Sequence, residues 1–222
     1  EHVILQNLDT SFQKIDELPF DFERRRMSVI VKDDEGTVSM VTKGALEEML
    51  TISSRVEYHG EVTPLTDAIR SEILAEVGQL NKQGLRVLGI GYKTDIQEGY
   101  SYTVKDEKDM ILTGYLAFLD PPKPSAAPAI KVLLEHGVKT KILTGDNEKV
   151  TQAICEKVGL DVEEILLGAD IEQMSDEQLA EAVESVTVFA KLSPDQKARI
   201  ILQLKKNGHA VGYMGDGIND AP

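Results

Sequence analysis

Apolar positions along this chain follow two regimes. In "MSVIVKD" and "TVSMVTK", residues 27–33 and 37–43, they alternate around an Asp-Glu-Gly turn, which predicts a β-hairpin. "GALEEMLTIS" then takes helical spacing, with Gly44 at the passage from strand to helix. Between 65 and 83, Ile69, Ile73, Leu74, Val77 and Leu80 share one helical face, and Gly84 stops the helix. "LRVLGIGYK" and "MILTGYLAFL" return to strand patterning. Strands paired through local hairpins, with two helices, predict an α+β module over residues 1–120.

Past "DPPKPSAAP" the order changes. Prolines at 121, 122, 124 and 128 remove backbone donors and stiffen the chain, as in an interdomain hinge or a rigid surface loop. Helices are predicted at 126–136, 147–158 and 194–207, strands at 138–143, 186–190 and 210–214, and a mostly helical stretch up to 184. Strands alternating with helices imply a doubly wound parallel α/β sheet over 121–222. The acid-rich run "EEILLGADIEQMSDEQLAEAVE" reads as a solvated helical cap.

Composition narrows the function. A net charge of −14 argues against nucleic acid, whose phosphates need basic patches, but leaves room for a nucleotide held by a few local cations. Cys155 is the single cysteine, so no internal disulfide forms; in "AICEKV" it lies on an apolar helical face and reads as a structural thiol. No apolar run approaches the roughly 20 residues of a membrane span, and no signal peptide is present, which predicts a soluble polypeptide.

The candidate chemistry sits where predicted strands end. Ligands of doubly wound sheets bind beyond the strands' carboxyl ends. There "KILTGDN" supplies Thr144, Gly145 and Asp146, "FAKLSPDQK" supplies Lys197, and "MGDGINDAP" supplies Asp216 and Asp220. A hydroxyl and an ammonium suit phosphate oxygens, and carboxylates suit Mg²⁺. Gly145, Gly215 and Gly217 let backbone N–H groups approach an anion. Taken singly, Thr-Gly-Asp is also an ordinary helix start and Lys197 an ordinary surface lysine. The three together point to one phosphate site.

These three motifs resemble signatures of the haloacid-dehalogenase-type phosphotransferase core, in the form found in cation-transporting P-type ATPases. "DPPK" is similar to that family's hinge. "FERRRMS", "KGA" and "GLRVLGIGYK" resemble its nucleotide-binding domain, and "IDELPFDFERRRMSVIV" is most similar to the bacterial magnesium-importing branch. Calcium pumps carry a looser variant.

The resemblance implies ATP and Mg²⁺ as cofactors. Phe22 would stack on adenine, although by itself it also reads as a core phenylalanine. Lys43 and Gly44 would line the pocket, and Arg24 and Arg86 would face the nucleotide phosphates. Thr144 and Lys197 would hold the transferred phosphoryl group, with Gly145 and Asp146 in its loop. Asp216 would coordinate Mg²⁺, and Asn219 and Asp220 would order that site.

The family's phosphate-accepting Asp-Lys-Thr-Gly-Thr stretch does not occur in these 222 residues. The resemblance therefore implies a cytoplasmic fragment of a larger pump, itself not membrane-inserted. Its partners would be ATP and the missing membrane and actuator domains, at the cytoplasmic face of the bacterial plasma membrane. Alone it would bind nucleotide without turnover, and its second module, lacking the central strand, would be the less ordered. A soluble phosphatase of the same core and a nucleotide-sensing module are the other functions this sequence leaves open.

Overall fold

In the computed structural model, which describes residues 11–94, 96–97 and 99–215, the alternating stretch forms its hairpin. Strand β1 (Phe12–Asp21) pairs antiparallel with β2 (Arg26–Asp33), and β2 with β3 (Val38–Ala45). Helix α1 (Leu46–Ile52), β4 (Ser53–Tyr58), β5 (Glu61–Pro64), α2 (Asp67–Lys82), β6 (Leu85–Lys93) and β7 (Met110–Leu119) follow, with a 3-10 turn at Val104–Asp106. They build a seven-stranded sheet in the order β1-β2-β3-β6-β7-β4-β5. It is mostly antiparallel, with β4 and β7 parallel.

Register explains which side chains meet. Ser28 pairs with Thr42 and Ile30 with Met40, so these four share one face, all at 0 % exposure. Ile30 and Met40 join Leu18, Val38, Tyr102 and Met110 in one core cluster. Helices α1 and α2 build another: Leu46, Met49 and Leu50 pack with Val77 and Leu112. Each such side chain, fully buried, contributes about 1.5–3 kcal/mol. Arg70 on α2 ties the helix down by donating to the carbonyls of Leu50 and Ser53.

One sequence expectation is corrected in this region, and two elements appear that the pattern did not predict. Leu74 is 43 % exposed: Ile69, Ile73 and Val77 repeat every four residues, and Leu74 lies a further 100° round the helix. The charged edge strand β1 and the β4–β5 hairpin were not legible as strands. That hairpin turns on His59 (φ 51°) and Gly60 (φ 81°), two consecutive left-handed residues as a two-residue turn between twisted strands requires.

Contacts divide the described chain into two compact units, one from residues up to Gln79 with Val87–Phe118, the other from Leu80–Arg86 with Leu119 onward. The second unit holds α3 (Ala126–Glu135), β8 (Ile142–Leu143), α4 (Glu148–Val158), β9 (Ile165–Leu167), α5 (Gly168–Gln173), α6 (Asp176–Ser185), β10 (Val188–Ala190) and α7 (Pro194–Lys206). Its sheet is parallel, in the order β8-β10-β9. Local sequence sets the helix starts. The Asn147 side chain caps α4 at Val150 N (3.0 Å), and Ser193 with Gln196 forms a capping box ahead of Pro194. Gly159, at φ 75°, closes α4.

Here too the structure departs from the pattern. The parallel sheet has three short strands among the described residues, so a fully wound sheet is not formed by them. The predicted strand at 138–143 contracts to two residues, and 210–214 takes no strand conformation, although Val211 packs against the Phe189 and Ile200 core. The acid-rich run is more than a solvated cap. It contains β9, and Ile171, Leu179 and Val183 point inward with 0 % exposure against Phe189 and Ile200.

Candidate functional site

Phe22 sits in the turn 22–25 that joins β1 to β2. Asp21 organises that turn: its Oδ1 accepts from Glu23 N (2.9 Å) and Arg24 N (2.8 Å), and its carbonyl accepts from Arg25 N (2.7 Å). The bond from Arg24 N holds the Asp21 carboxyl below the usual carboxylate range. Arg25 adopts a left-handed φ of 49°, and its carbonyl accepts from Ala45 N (3.0 Å), fastening the turn to the end of β3. The Phe22 ring remains 39 % exposed and meets Phe20 edge-to-face at 5.2 Å.

Beneath this turn lies a polar cluster. The Glu107 side chain has no exposure, and its Oε2 accepts from Arg24 Nη1 (2.6 Å) and Arg26 Nε (2.8 Å). Its Oε1 accepts from Ser28 Oγ (2.7 Å), which is 2.8 Å from Thr42 Oγ1. Burial pushes the Glu107 carboxyl up, but the bonds from Arg24, Ser28 and Arg26 outweigh it and leave the group below its ordinary value. Arg24 Nη2 also donates to the Pro19 carbonyl (2.8 Å). Two guanidinium groups thus share one buried carboxylate.

Lys43 and Gly44 are neighbours in sequence but face opposite sides of β3, with Lys43 exposed and Gly44 buried. Gly44 pairs with Arg26, and a Cβ there would lie 2.5 Å from Arg26 Cβ and 2.6 Å from the Arg25 carbonyl. The glycine is thus required by the close approach of β2, a reason the sequence does not reveal.

In the second unit, the loops after β8 and β10 are zipped together. Thr144 N donates to the Phe189 carbonyl (3.0 Å), Leu192 N to the Thr144 carbonyl (3.0 Å), and Lys191 N to the Asp146 carbonyl (2.8 Å). The Thr144 hydroxyl accepts from Asp146 N (3.1 Å), which shapes the 144–147 turn. Lys197 lies one turn into α7 at 7 % exposure, so it is not a surface lysine. Arg86 falls in this unit, with Nη2 2.7 Å from Asp146 Oδ2 and Nη1 3.3 Å from Asp120 Oδ2.

The structure therefore joins the Thr144 and Lys191–Ser193 loops, and separately seats the Phe22 turn against the end of β3. Asp216, Gly217, Asn219 and Asp220 lie outside the described residues. Glu107 was missed from sequence because an acid in "KDEKD" looks like a solvated charge.

Residues 2–125 match the family model described as "P-type ATPase, cytoplasmic domain N". The chain is 50 % identical over 218 residues to the magnesium-transporting ATPase, P-type 1, of Escherichia coli K12, covering 98 % of this chain and 24 % of that protein. It is 49 % identical to the protein of the same name from Salmonella typhimurium LT2, with the same coverage. To the calcium-transporting ATPase of Bacillus subtilis 168 it is 34 % identical, over 97 % of this chain and 24 % of that protein. The chain thus spans about a quarter of the length of these relatives. A match over more than half of its residues places the chain in the P-type ATPase family, through that family's cytoplasmic domain N.

Proposed function

We propose that the chain is the nucleotide-handling part of a magnesium-transporting P-type ATPase of the bacterial plasma membrane, lying on the cytoplasmic face. One observation carries the assignment: Phe22 is held 39 % exposed on a turn pinned by Asp21, Ala45 and Glu107. An aromatic kept in water on a rigid support is suited to an aromatic ligand that covers it. Stacking of adenine on Phe22 would contribute about 1–3 kcal/mol, by analogy with base–aromatic contacts elsewhere. Lys43 supplies an exposed cation on the adjoining strand, with Gly44 and Arg24 in the same unit; Arg86, which belongs to the second unit, is proposed separately as a cation for nucleotide phosphates.

The finer assignment of residues 1–120 as the nucleotide-binding domain and 121–222 as a partial phosphorylation domain of haloacid-dehalogenase type belongs to the same proposal. Its support is the parallel sheet β8-β10-β9 with the Thr144 and Lys191 loops joined at the strands' carboxyl ends. There Thr144 and Lys197 would hold a phosphoryl group, the hydroxyl and ammonium offsetting charge on its oxygens, and Gly145 and Asp146 would shape the loop.

Among the described residues no set of three His, Cys, Asp or Glu is grouped to hold a metal ion. Asp216, with Asn219 and Asp220 in support, is proposed to hold Mg²⁺, which when bound neutralises phosphate oxygens. No helix of the described chain is long and apolar enough to cross a membrane. Transport would require the membrane and actuator parts of the same polypeptide. Lacking the phosphate-accepting stretch, the 222 residues are proposed to bind ATP without turning it over.

Isothermal titration with ATP tests this. Phe22→Ala and Lys43→Ala are each expected to weaken binding, by about fivefold or more for Phe22→Ala given the stacking energy above. Identical heats for the original chain and both variants would exclude the site.

A further inference from the structure

Glu107 comes 83 residues after Arg24 in sequence, at the end of the 3-10 turn, yet it makes the most heavily bonded contact beneath the Phe22 turn. A buried carboxylate is costly to desolvate and persists only with strong partners. Here both oxygens are engaged, by Arg24 and Arg26 on one and Ser28 on the other. Arg24 is 18 % exposed, with one terminal nitrogen on Glu107 and the other on the Pro19 carbonyl. Its bonds therefore run from the end of β1, across the turn, to Glu107. They point away from a role at exposed phosphates.

We infer that Glu107 is the positioning residue of the adenine platform, holding the Phe22 turn through Arg24 and Arg26, and that Arg24 acts through this clamp rather than on the nucleotide phosphates. The inference rests on the nucleotide assignment above and changes the part Arg24 plays in it. A guanidinium fork matches a carboxylate as well as it matches a phosphate, and here the carboxylate already holds it. Arg26 passes over Gly44 to reach the same oxygen, so the clamp spans both strands that flank the turn.

Adenosine, which has no phosphates, separates the two roles. Titrations of the 222-residue chain with adenosine and with ATP would compare Glu107→Gln, Glu107→Asp, Arg24→Met, Phe22→Ala and the double variant Phe22→Ala/Glu107→Gln. They would be run at a temperature where near-ultraviolet circular dichroism shows each protein folded. Glu107→Gln and Arg24→Met should weaken adenosine and ATP by the same factor, about tenfold. Glu107→Asp should recover part of the loss. The double variant should bind no worse than Phe22→Ala alone, because a clamp acts only through the ring it positions.

A loss confined to ATP would make Arg24 a phosphate contact and overturn the inference. So would affinities within about twofold of the original in Glu107→Gln, or losses that multiply in the double variant. Should Glu107→Gln fail to fold, Arg24→Met decides by the same split between the two ligands. If the original chain binds neither ligand, or Phe22→Ala binds both as tightly as the original, the nucleotide site itself fails and the clamp's role fails with it.

Discussion

The two units solve the same packing problem with unequal means. The first covers a seven-stranded sheet with α1 and α2 and closes it at one end with buried ions. Among its described residues the second has three short parallel strands and a helix, α3, that docks on Cys155, Val158, Leu160 and Val188 through Ala126, Ala127 and Ile130 but has no fully buried residue. Val132, Leu133 and Leu134 on α3 are 52 %, 41 % and 51 % exposed, although the helix is among the most apolar in the chain. Short helices are marginal in water without an apolar face to dock. The contrast teaches that strand content matters less than whether each element finds a partner: β1 is charged and mostly exposed yet pairs seven residues with β2 across two register shifts, whereas β8 pairs two.

The largest expected effect would break the first unit where it is most polar. Glu107→Ala leaves two guanidinium groups facing each other without their carboxylate, and should cost that unit about 3–5 kcal/mol. Urea unfolding followed by NMR signals from each unit would show it, and a loss under about 1 kcal/mol would mean that the cluster is solvated. Next, Ile200→Ala should cost the second unit about 2–5 kcal/mol, because Ile200 is fully buried among Ile171, Leu179 and Phe189. A smaller cost would show that this core repacks freely.

Amide exchange sharpens the comparison further. Residues 126–135 should lose protection at least about tenfold sooner than 67–82, whose helix is tied down by Arg70 and by Val77. Equal protection would mean that Val132, Leu133 and Leu134 are covered in solution and that the docking of Ala126, Ala127 and Ile130 is not the helix's whole support.

Acid should then separate the units more gently. The folded Glu107 carboxyl lies below its ordinary 4.5, so its stabilising share is complete above that value and is lost as pH falls through the lower folded one. Glu107→Gln should flatten the first unit's acid-side stability curve there and leave the second unit's unchanged. A curve for the first unit that keeps its slope in the variant would assign the acid sensitivity to other carboxylates.

The smallest signal comes from Cys155, 1 % exposed, whose thiol is pushed up by burial and then by Glu156. Ellman's reagent should modify it only as fast as the second unit opens. Immediate labelling in the native protein would contradict a closed packing around α4.

What was legible in the sequence follows from period and punctuation. The 27–43 hairpin, α2, α4 and α7 announce themselves by alternation, by a four-residue apolar repeat, and by Asn147 and Ser193 as caps. β1 hides because its side chains face mostly water, and β9 hides because a three-residue strand has too few positions to show a period. For the candidate site, Phe22, Lys43 and Thr144 could be picked out by their motifs. Glu107 could not, since its meaning depends on partners about 80 residues away. The crowding at Gly44 is equally invisible without the register that sets it opposite Arg26.

That register has a practical consequence. At position 44 even a methyl group would act as a wedge, prising β2 from β3 at the seam where the Arg25 carbonyl meets Ala45 N. A saturation scan scored by growth or by abundance would therefore record the glycine as intolerant whether or not nucleotide is present, and intolerance there cannot by itself be taken as a map of ligand contact.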